Sequence, residues 1–282
     1  MRFLCLAIVS TLLLLVSGGR LLAQESVRVG FYNLHNLYDT INDPGVSDSE
    51  FLDYDYRLKI KELSAAINLF SPDILGVCEL ENYAIFEQLS KSFGDRYNIV
   101  HYDSRDARGI DVALLYSQAY FELLSSELIE FDYLWRGVLR ADFRVRSSSK
   151  LFTVLVAHLP SQRGGKSAKL KRNRALGALD SLAQELNSVI LIGDMNDNPT
   201  DMRYLYNCAL KAYSEGLASY VYRDRWSLFD QIMVSPELKA RLCGGQRVVV
   251  SKELINGSGR FKGYPRRGRP SDHLPVYIDI EL

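Results

Sequence analysis

An excess of charge of either sign is missing from this chain: 34 lysines and arginines face 34 aspartates and glutamates over 282 residues. Overall charge therefore gives no hint of a polyanionic partner. Cysteine is scarce as well. Of the four cysteines, Cys5 falls in the leader argued for below, which leaves Cys78, Cys208 and Cys243. An odd set is no disulfide framework. Cys78 lies in an apolar strand and reads as an inert core thiol, whereas Cys208 and Cys243 are free to pair or not. Repeats and low-complexity linkers are absent, which excludes solenoids, fibres and a chain divided by a flexible hinge. Beyond the N-terminus no apolar run approaches the about 20 residues that a membrane span needs, and no extra apolar hairpin suggests membrane docking.

What is present starts with a leader. Arg2, the apolar run from Leu4 to Val16 and the small residues Ser17, Gly18 and Gly19 have the order of a secretory signal, with cleavage expected after Ala23. The sequence thus predicts a signal peptide over 1–23 and one domain over 24–282, exported to a periplasm or beyond the cell. Removing Arg2 and Arg20 with no acidic residue shifts the balance by two toward negative.

Within the mature region, hydrophobic periodicity marks strands at Val27 to Asn33, Ile74 to Cys78, Tyr97 to Tyr102, Ile110 to Tyr116, Phe121 to Glu130, Val138 to Val145 and Leu151 to Ala157. Helical spacing appears over Arg57 to Phe70, Tyr83 to Phe93 and the stretch carrying Leu176, Leu179, Ala183 and Leu186. A short helix is expected near Met202 to Ala212, and further strands over Phe229 to Val234 and Val276 to Ile280. Strands outnumber helices, and helices are scattered between them. This order predicts an α/β domain with two sheets packed face to face and helices outside.

One stretch carries the most chemistry. Val189 to Gly193 is a buried strand that runs into Asp194, Met195, Asn196, Asp197, Asn198 and Pro199. A strand that delivers polar groups at its carboxyl end is where open α/β folds place their sites. Asp194 suits a hard cation or an oriented water, and Asn196, one alternation on, suits a phosphate oxygen. An Asx turn stopped by Pro199 explains the same letters. Other strands end likewise, on Asn33, Glu79 and His158, while Asp230 and the pair Asp272 and His273 border two more. Singly, each has a structural explanation: a capped turn, a solvated strand end, a satisfied core histidine. Their recurrence in one chain is what those explanations do not absorb.

In order along the chain, Phe31-Tyr32-Asn33, Gly76-Val77-Cys78-Glu79, Arg108-Gly109-Ile110-Asp111, Val156-Ala157-His158, Gly193-Asp194-Met195-Asn196, Phe229-Asp230-Gln231 and Ser271-Asp272-His273 resemble the motifs of the endonuclease/exonuclease/phosphatase (deoxyribonuclease-like) superfamily. The resemblance covers nearly all of the mature region. It implies a four-layer α/β/β/α sandwich of two face-to-face, mainly antiparallel sheets, and a divalent-metal phosphodiesterase or phosphatase. It also implies Glu79 as principal metal ligand, with Asn33 and Asp272 near the ion. Asp194 and Asn196 would then orient the attacking water and the phosphate. Asp230 would hold His273, and His158 would act as acid or phosphate donor. A carboxylate-and-amide shell suits Mg²⁺ or Mn²⁺, where thiolates or several imidazoles would suit zinc. There is one departure: His35 stands where many superfamily members carry an acidic or amide group near the metal.

For the substrate, two basic stretches flank these motifs. Arg163, Lys166, Lys169, Lys171, Arg172 and Arg174 follow His158, and Arg260, Lys262, Arg266, Arg267 and Arg269 precede Asp272. Together with Arg108 and Arg136 they form a candidate phosphate-binding set, and Tyr264 is placed to stack on a base. Solvated loops are the plain alternative for each cluster. Nucleic acid is the expected substrate, with a phosphomonoester or a phospholipid as alternatives and an inactive binding module as a remote one. No protein partner is expected, and the chain is expected to act as a monomer.

Overall fold

Runs that are apolar on both faces become central strands, and the helices cover their outer sides. The computed structural model describes residues 26–186, 188–266 and 269–282; the leader expected at 1–23 and Arg267 lie outside the described residues. Along the chain, β1 (Ser26–Leu37) precedes α1 (Asp53–Asn68), β2 (Ile74–Leu80) and α2 (Tyr83–Lys91). Next come β3 (Tyr97–His101), β4 (Asp111–Ser117), β5 (Phe121–Phe131), β6 (Leu134–Val145) and β7 (Leu151–His158), then α3 (Gly165–Glu185) and β8 (Val189–Asp194). Shorter pieces follow: β9 (Tyr206–Asn207), α4 (Ala209–Ser214), β10 (Tyr220–Tyr222), β11 (Arg225–Ser227), β12 (Asp230–Val234), α5 (Pro236–Lys239) and β13 (Arg247–Val248). The last strand is β14 (Val276–Glu281).

One six-stranded sheet has the order β13-β14-β1-β2-β4-β3, and the other β5-β6-β7-β8-β12-β9. Each contains one parallel pair, β1 with β2 and β7 with β8, and is otherwise antiparallel. A parallel pair needs a crossover, and α1 and α3 supply the two crossovers. The alternation of strand side chains then sorts residues into layers. Val29 and Phe31 of β1 point into the core between the sheets with Val154, Val156, Ile190 and Ile192. Their neighbours Tyr32 and Leu34 point the other way, against Leu63 and Ile67 of α1 and Phe86 and Leu89 of α2. On the far side, Leu155, Ala157 and Leu191 meet Ala175, Leu179 and Ala183 of α3. The result is the expected α/β/β/α sandwich. Among the described residues no helix is long and apolar enough to cross a membrane.

The helix expected from Met202 to Ala212 is corrected. Its first half is a series of bends leading into the two-residue strand β9, and only Ala209–Ser214 is helical. Asp180 of α3 takes the backbone N–H groups of Tyr204 and Leu205 at 2.9–3.1 Å, and β9 pairs with β12. Those donors are thereby withdrawn from a helical ladder. The possible Cys208–Cys243 pair does not form; both thiols are free, the first buried and the second exposed.

Gly193 is fixed by contact. A Cβ there would lie 2.1 Å from the carbonyl oxygen of Ala157 on the adjoining parallel strand. Gly193→Ala should therefore force β7 and β8 apart and destabilise the fold at the upper end of the about 1–3 kcal/mol typical of overpacking, or more. Gly177 on α3 has nothing within 4 Å, so Gly177→Ala should stabilise by about 0.5–1 kcal/mol. Urea denaturation of the two variants checks the contrast; equal midpoints would contradict it.

Candidate active site

The two parallel pairs end side by side. β1 and β2 bring Asn33 and Glu79, while β7 and β8 bring His158 and Asp194, which are register partners. Asn33 joins the two pairs: its Nδ2 donates to Asp194 Oδ2 at 3.1 Å and to Glu79 Oε1 at 3.3 Å. Register shifts interrupt β1 between Asn33 and Leu37 and β2 between Cys78 and Leu80. Bulges of this kind re-aim side chains beside sites. Glu79, His35, Asn36 and Asn196 carry φ of +62°, +54°, +51° and +50°, conformations that cost of order 1–3 kcal/mol each in non-glycine residues. The backbone N–H of Asn36 donates to Glu79 Oε2 at 2.9 Å, so the strained turn holds the carboxylate directly.

The other half of the site is an antiparallel neighbour. Asp230 pairs with Asp194 in register, and its Oδ2 lies 2.7 Å from His273 Nδ1. Ser219 Oγ donates to the same oxygen at 2.5 Å, and the Tyr220 ring lies 4.6 Å from the imidazole. His273 Nε2 faces Asp194 Oδ2 at 4.0 Å. Burial opposes a charge on His273, but Asp230, Asp194 and Asp272 outweigh it and raise the imidazole to about 10. For Asp194, burial pushes the carboxyl up to about 7 against the pull of His273. The backbone N–H of Asn196 donates to Asp194 Oδ1 at 2.8 Å, and the Asn196 Nδ2 holds Leu159 O at 3.0 Å.

His158 is different. Its Nε2 lies 3.7 Å from both Glu79 Oε1 and Asp194 Oδ2, and its buried Nδ1 has no partner. Burial, reinforced by Arg136 and Arg108, depresses its pKa well below the ordinary value, so the ring is neutral. His35 donates its N–H to Asn33 Oδ1 at 2.8 Å and sets its Nε2 3.7 Å from Asp272 Oδ2. The oxygens of Glu79, Asp272 and Asp194 are the hard donors that a divalent cation of the Mg²⁺ type takes. Cys78 also lies close to His158 and Asp194, yet burial lifts its thiol far up, which leaves it a poor soft ligand.

The expected arginines divide. Arg136 is half-buried, with Nε on Asp106 at 2.8 Å and Nη1 on His158 O at 3.1 Å. Arg108 reaches Asp106 and Asn36, and Arg163 is exposed in the turn before α3. Arg266 spends its guanidinium on the carbonyls of Ile255 and Lys252 at 3.2 Å. Arg172, from the first basic stretch, is buried on Pro160 O and Asp197. A cavity of about 280 Å³ opens beside His158, lined by Asp106, Tyr133, Trp135, Arg136, Ser161 and Lys171.

Sequence reasoning passed over Lys59, Ser219, Tyr220 and Asp106. Lys59 is fully buried on α1 and donates to His35 O at 2.9 Å. Burial pulls its ammonium down to about 8 against Asp272 and Glu79. Its place on the inward stripe with Tyr56, Ile60 and Leu63 was the available signal. For Ser219 and Tyr220 there was none, because only the folded hairpin of β10 and β11 brings them to Asp230 and His273.

A two-sheet sandwich with carboxylates, amides and two histidines gathered at the ends of its parallel pairs is the architecture of a phosphoesterase. The chain belongs to the Endonuclease/Exonuclease/phosphatase family, whose model matches residues 28–282. Among solved structures it is similar to D. rerio TDP2 complexed with a single-strand DNA product, at 18% identity and a TM-score of 0.65, over 91% of this chain and 99% of that one. It is also similar to a Bacteroides thetaiotaomicron mannosyl-6-phosphatase, at 16% identity and a TM-score of 0.61, over 91% and 100% of the two chains. The human Nocturnin catalytic domain with bound sulfate gives 18% identity and a TM-score of 0.59, over 90% and 93%. At these identities the likeness is one of fold. Among curated proteins none matches.

The Asp106 pairing has a pH signature. Burial raises its carboxyl, but Arg136 and Arg108 outweigh that and leave it below its ordinary value. A depressed folded value means stability that is fully present above the unfolded pKa of about 4 and is lost as pH falls through the folded one. Asp106→Asn should thus be less stable than the parent by roughly 1.5–3 kcal/mol at neutral pH, with the gap narrowing in acid. Urea melts at neutral and acid pH measure it; a gap that stays constant would show that the charge is not responsible.

Proposed function

We propose that the protein is an exported, divalent-metal-dependent phosphodiesterase that hydrolyses nucleic acid. The observation that carries this reading is the convergence of Asn33, Glu79, His158 and Asp194 with the Asp230–His273 pair at 2.7 Å. Glu79 and Asp272, with Asn33 beside them, would hold Mg²⁺ or Mn²⁺. When bound, that cation supplies charge neutralisation of the phosphoryl oxygens.

The chain's own groups divide the remaining work. Asp230 accepts a hydrogen bond from the Nδ1–H of His273, which fixes the ring and keeps it charged, leaving the Nε2–H for a phosphate oxygen. Asp194, held by Asn33 and by the N–H of Asn196, accepts the proton of the attacking water. One amide hydrogen of Asn196 is spent on Leu159 O, leaving the other for the phosphate. Neutral His158 donates a hydrogen bond rather than a proton.

Nucleic acid is favoured over a small ester by the surroundings. Trp226 meets Tyr264 edge-on at 5.2 Å on the hairpin that also carries Tyr220, and Phe261 is exposed next to Tyr264. Aromatic faces beside cations suit a single strand, and the neighbouring TDP2 holds a single-strand DNA product. A phosphomonoesterase is the second reading. It is favoured by the modest cavity at His158 and by the neighbour that is a mannosyl-6-phosphatase. Export rests on the leader at 1–23.

Hydrolysis of single-stranded DNA, RNA, an aryl phosphodiester, a phosphomonoester and sphingomyelin, each with Mg²⁺ and with chelator, decides among these. Activity should vanish in chelator, and Glu79→Gln should remove most of it while the fold persists. Full activity in chelator, or stoichiometric zinc in the purified protein, would falsify the metal assignment. Asp230→Asn should lower turnover about 10²-fold or more, the scale of general acid–base groups; unchanged turnover removes His273 from the chemistry.

Salt separates polymer from monoester. With Arg172 and Arg266 occupied internally, we take two or three phosphate contacts from the remaining cations of these stretches. At a slope near −0.7 per contact, binding to single strands should weaken roughly tenfold from 50 to 200 mM salt. A flat salt series with rapid monoester turnover would establish the phosphatase reading instead.

A further inference from the structure

We propose a calcium site on the loop between β1 and α1, built from Asp43, Asp48 and Glu81 and distinct from the catalytic cluster. One carboxylate oxygen from each of these three residues lies within 4.8 Å of the other two. Proximity of acids alone is common at surfaces. Here, however, Glu81 is only 6% exposed, and its Oε1 is shut off from solvent with no hydrogen-bond partner; the same holds for Asp48 Oδ1. The other oxygen of each carboxylate is anchored. Asp39 N–H donates to Glu81 Oε2 at 2.7 Å, and Asp43 N–H donates to Asp48 Oδ2 at 2.9 Å. Each side chain is thereby oriented by a backbone donor, and the remaining oxygens of Glu81 and Asp48 lie close enough to share one proton.

A free, desolvated carboxylate oxygen costs energy unless a proton or a cation meets it. Three carboxylates around one point carry more charge than a shared proton neutralises, and they are oxygen ligands only. That chemistry selects a hard divalent ion. Calcium accepts 6–8 oxygens in irregular geometry, including waters and loop carbonyls, whereas magnesium demands a near-octahedral shell and usually takes one or two carboxylates. Three carboxylates from an irregular loop and a strand end, with Asp43 exposed to solvent, fit calcium. The site would also touch the catalytic frame. Asn36 N–H holds Glu79 while Asp39 N–H holds Glu81, so one short segment positions both carboxylates. Calcium would stiffen that segment without entering the reaction.

The test is thermal unfolding of the Glu79→Gln chain during titration with calcium chloride, since that substitution weakens the catalytic cation set. At a hundredfold excess over Kd the midpoint should rise by about 5 °C or more. Adding either Asp43→Asn or Asp48→Asn should abolish the rise. Without calcium, Asp48→Asn should melt no lower than its parent, because an amide relieves the repulsion; a loss of the rise is then not a failure to fold. Asp43 is exposed, which makes Asp43→Asn the milder check. No rise with calcium, or an undiminished rise in Asp43→Asn, overturns the site. An equal rise with magnesium overturns the assignment to calcium.

Discussion

A strand buried on both faces can present polar groups only at its ends, and this constraint organises the molecule. β1, β2, β7 and β8 each pack against the other sheet on one side and against helices on the other. A charged group along their middles would be costly, and the ionisable side chains there, Tyr32 and Cys78, are held neutral by burial. The parallel pairing aligns the carboxyl ends of neighbouring strands, so Asn33 with Glu79 and His158 with Asp194 fall at one edge of the sandwich. The antiparallel partners β12 and β14 start at that same edge, and they bring Asp230 and His273. Sheet direction thereby chooses which residues meet.

The meeting is electrostatically costly, and the neighbours offset it unevenly. Asp230 is fully buried and Asp194 nearly so, yet one is matched by the His273 charge at 2.7 Å and the other faces that ring only at 4.0 Å. Asp194 is therefore the carboxylate less closely matched by charge, and burial holds its proton to higher pH than an ordinary aspartate's. A group in that condition is suited to proton traffic. His158, buried away from a carboxylate at hydrogen-bonding distance and close to Arg136, is driven to the opposite state.

Strand ends were legible because the signal is local: an apolar run stops on a polar residue. Glu79, His158 and Asp194 stand at or next to the ends of their strands, and the alternation that sends Phe31 and Tyr32 to opposite layers was readable by the same rule. Bulges were not legible. Nothing in the letters around His35, Asn36 or Glu79 announces a positive φ. Charge clusters misled in part, because a run of arginines does not say which ones find carbonyls: Arg172 and Arg266 turn inward. The failed helix start at Met202 has the same cause, a distant carboxylate, Asp180, claiming local donors.

The Ser271 hydroxyl donates to the Asn33 carbonyl at 2.7 Å across 238 residues of chain, and β14, the last strand, lies against β1, the first described one. Asn33 and Glu79 thus come from the beginning of the domain, and Asp272 and His273 from its end. Contacts so remote in sequence form late, after most loop closure has been completed. Docking of β14 on β1 is therefore the step that brings His273 to Asp230, and a chain in which the last strand has not yet joined the sheet lacks that pair.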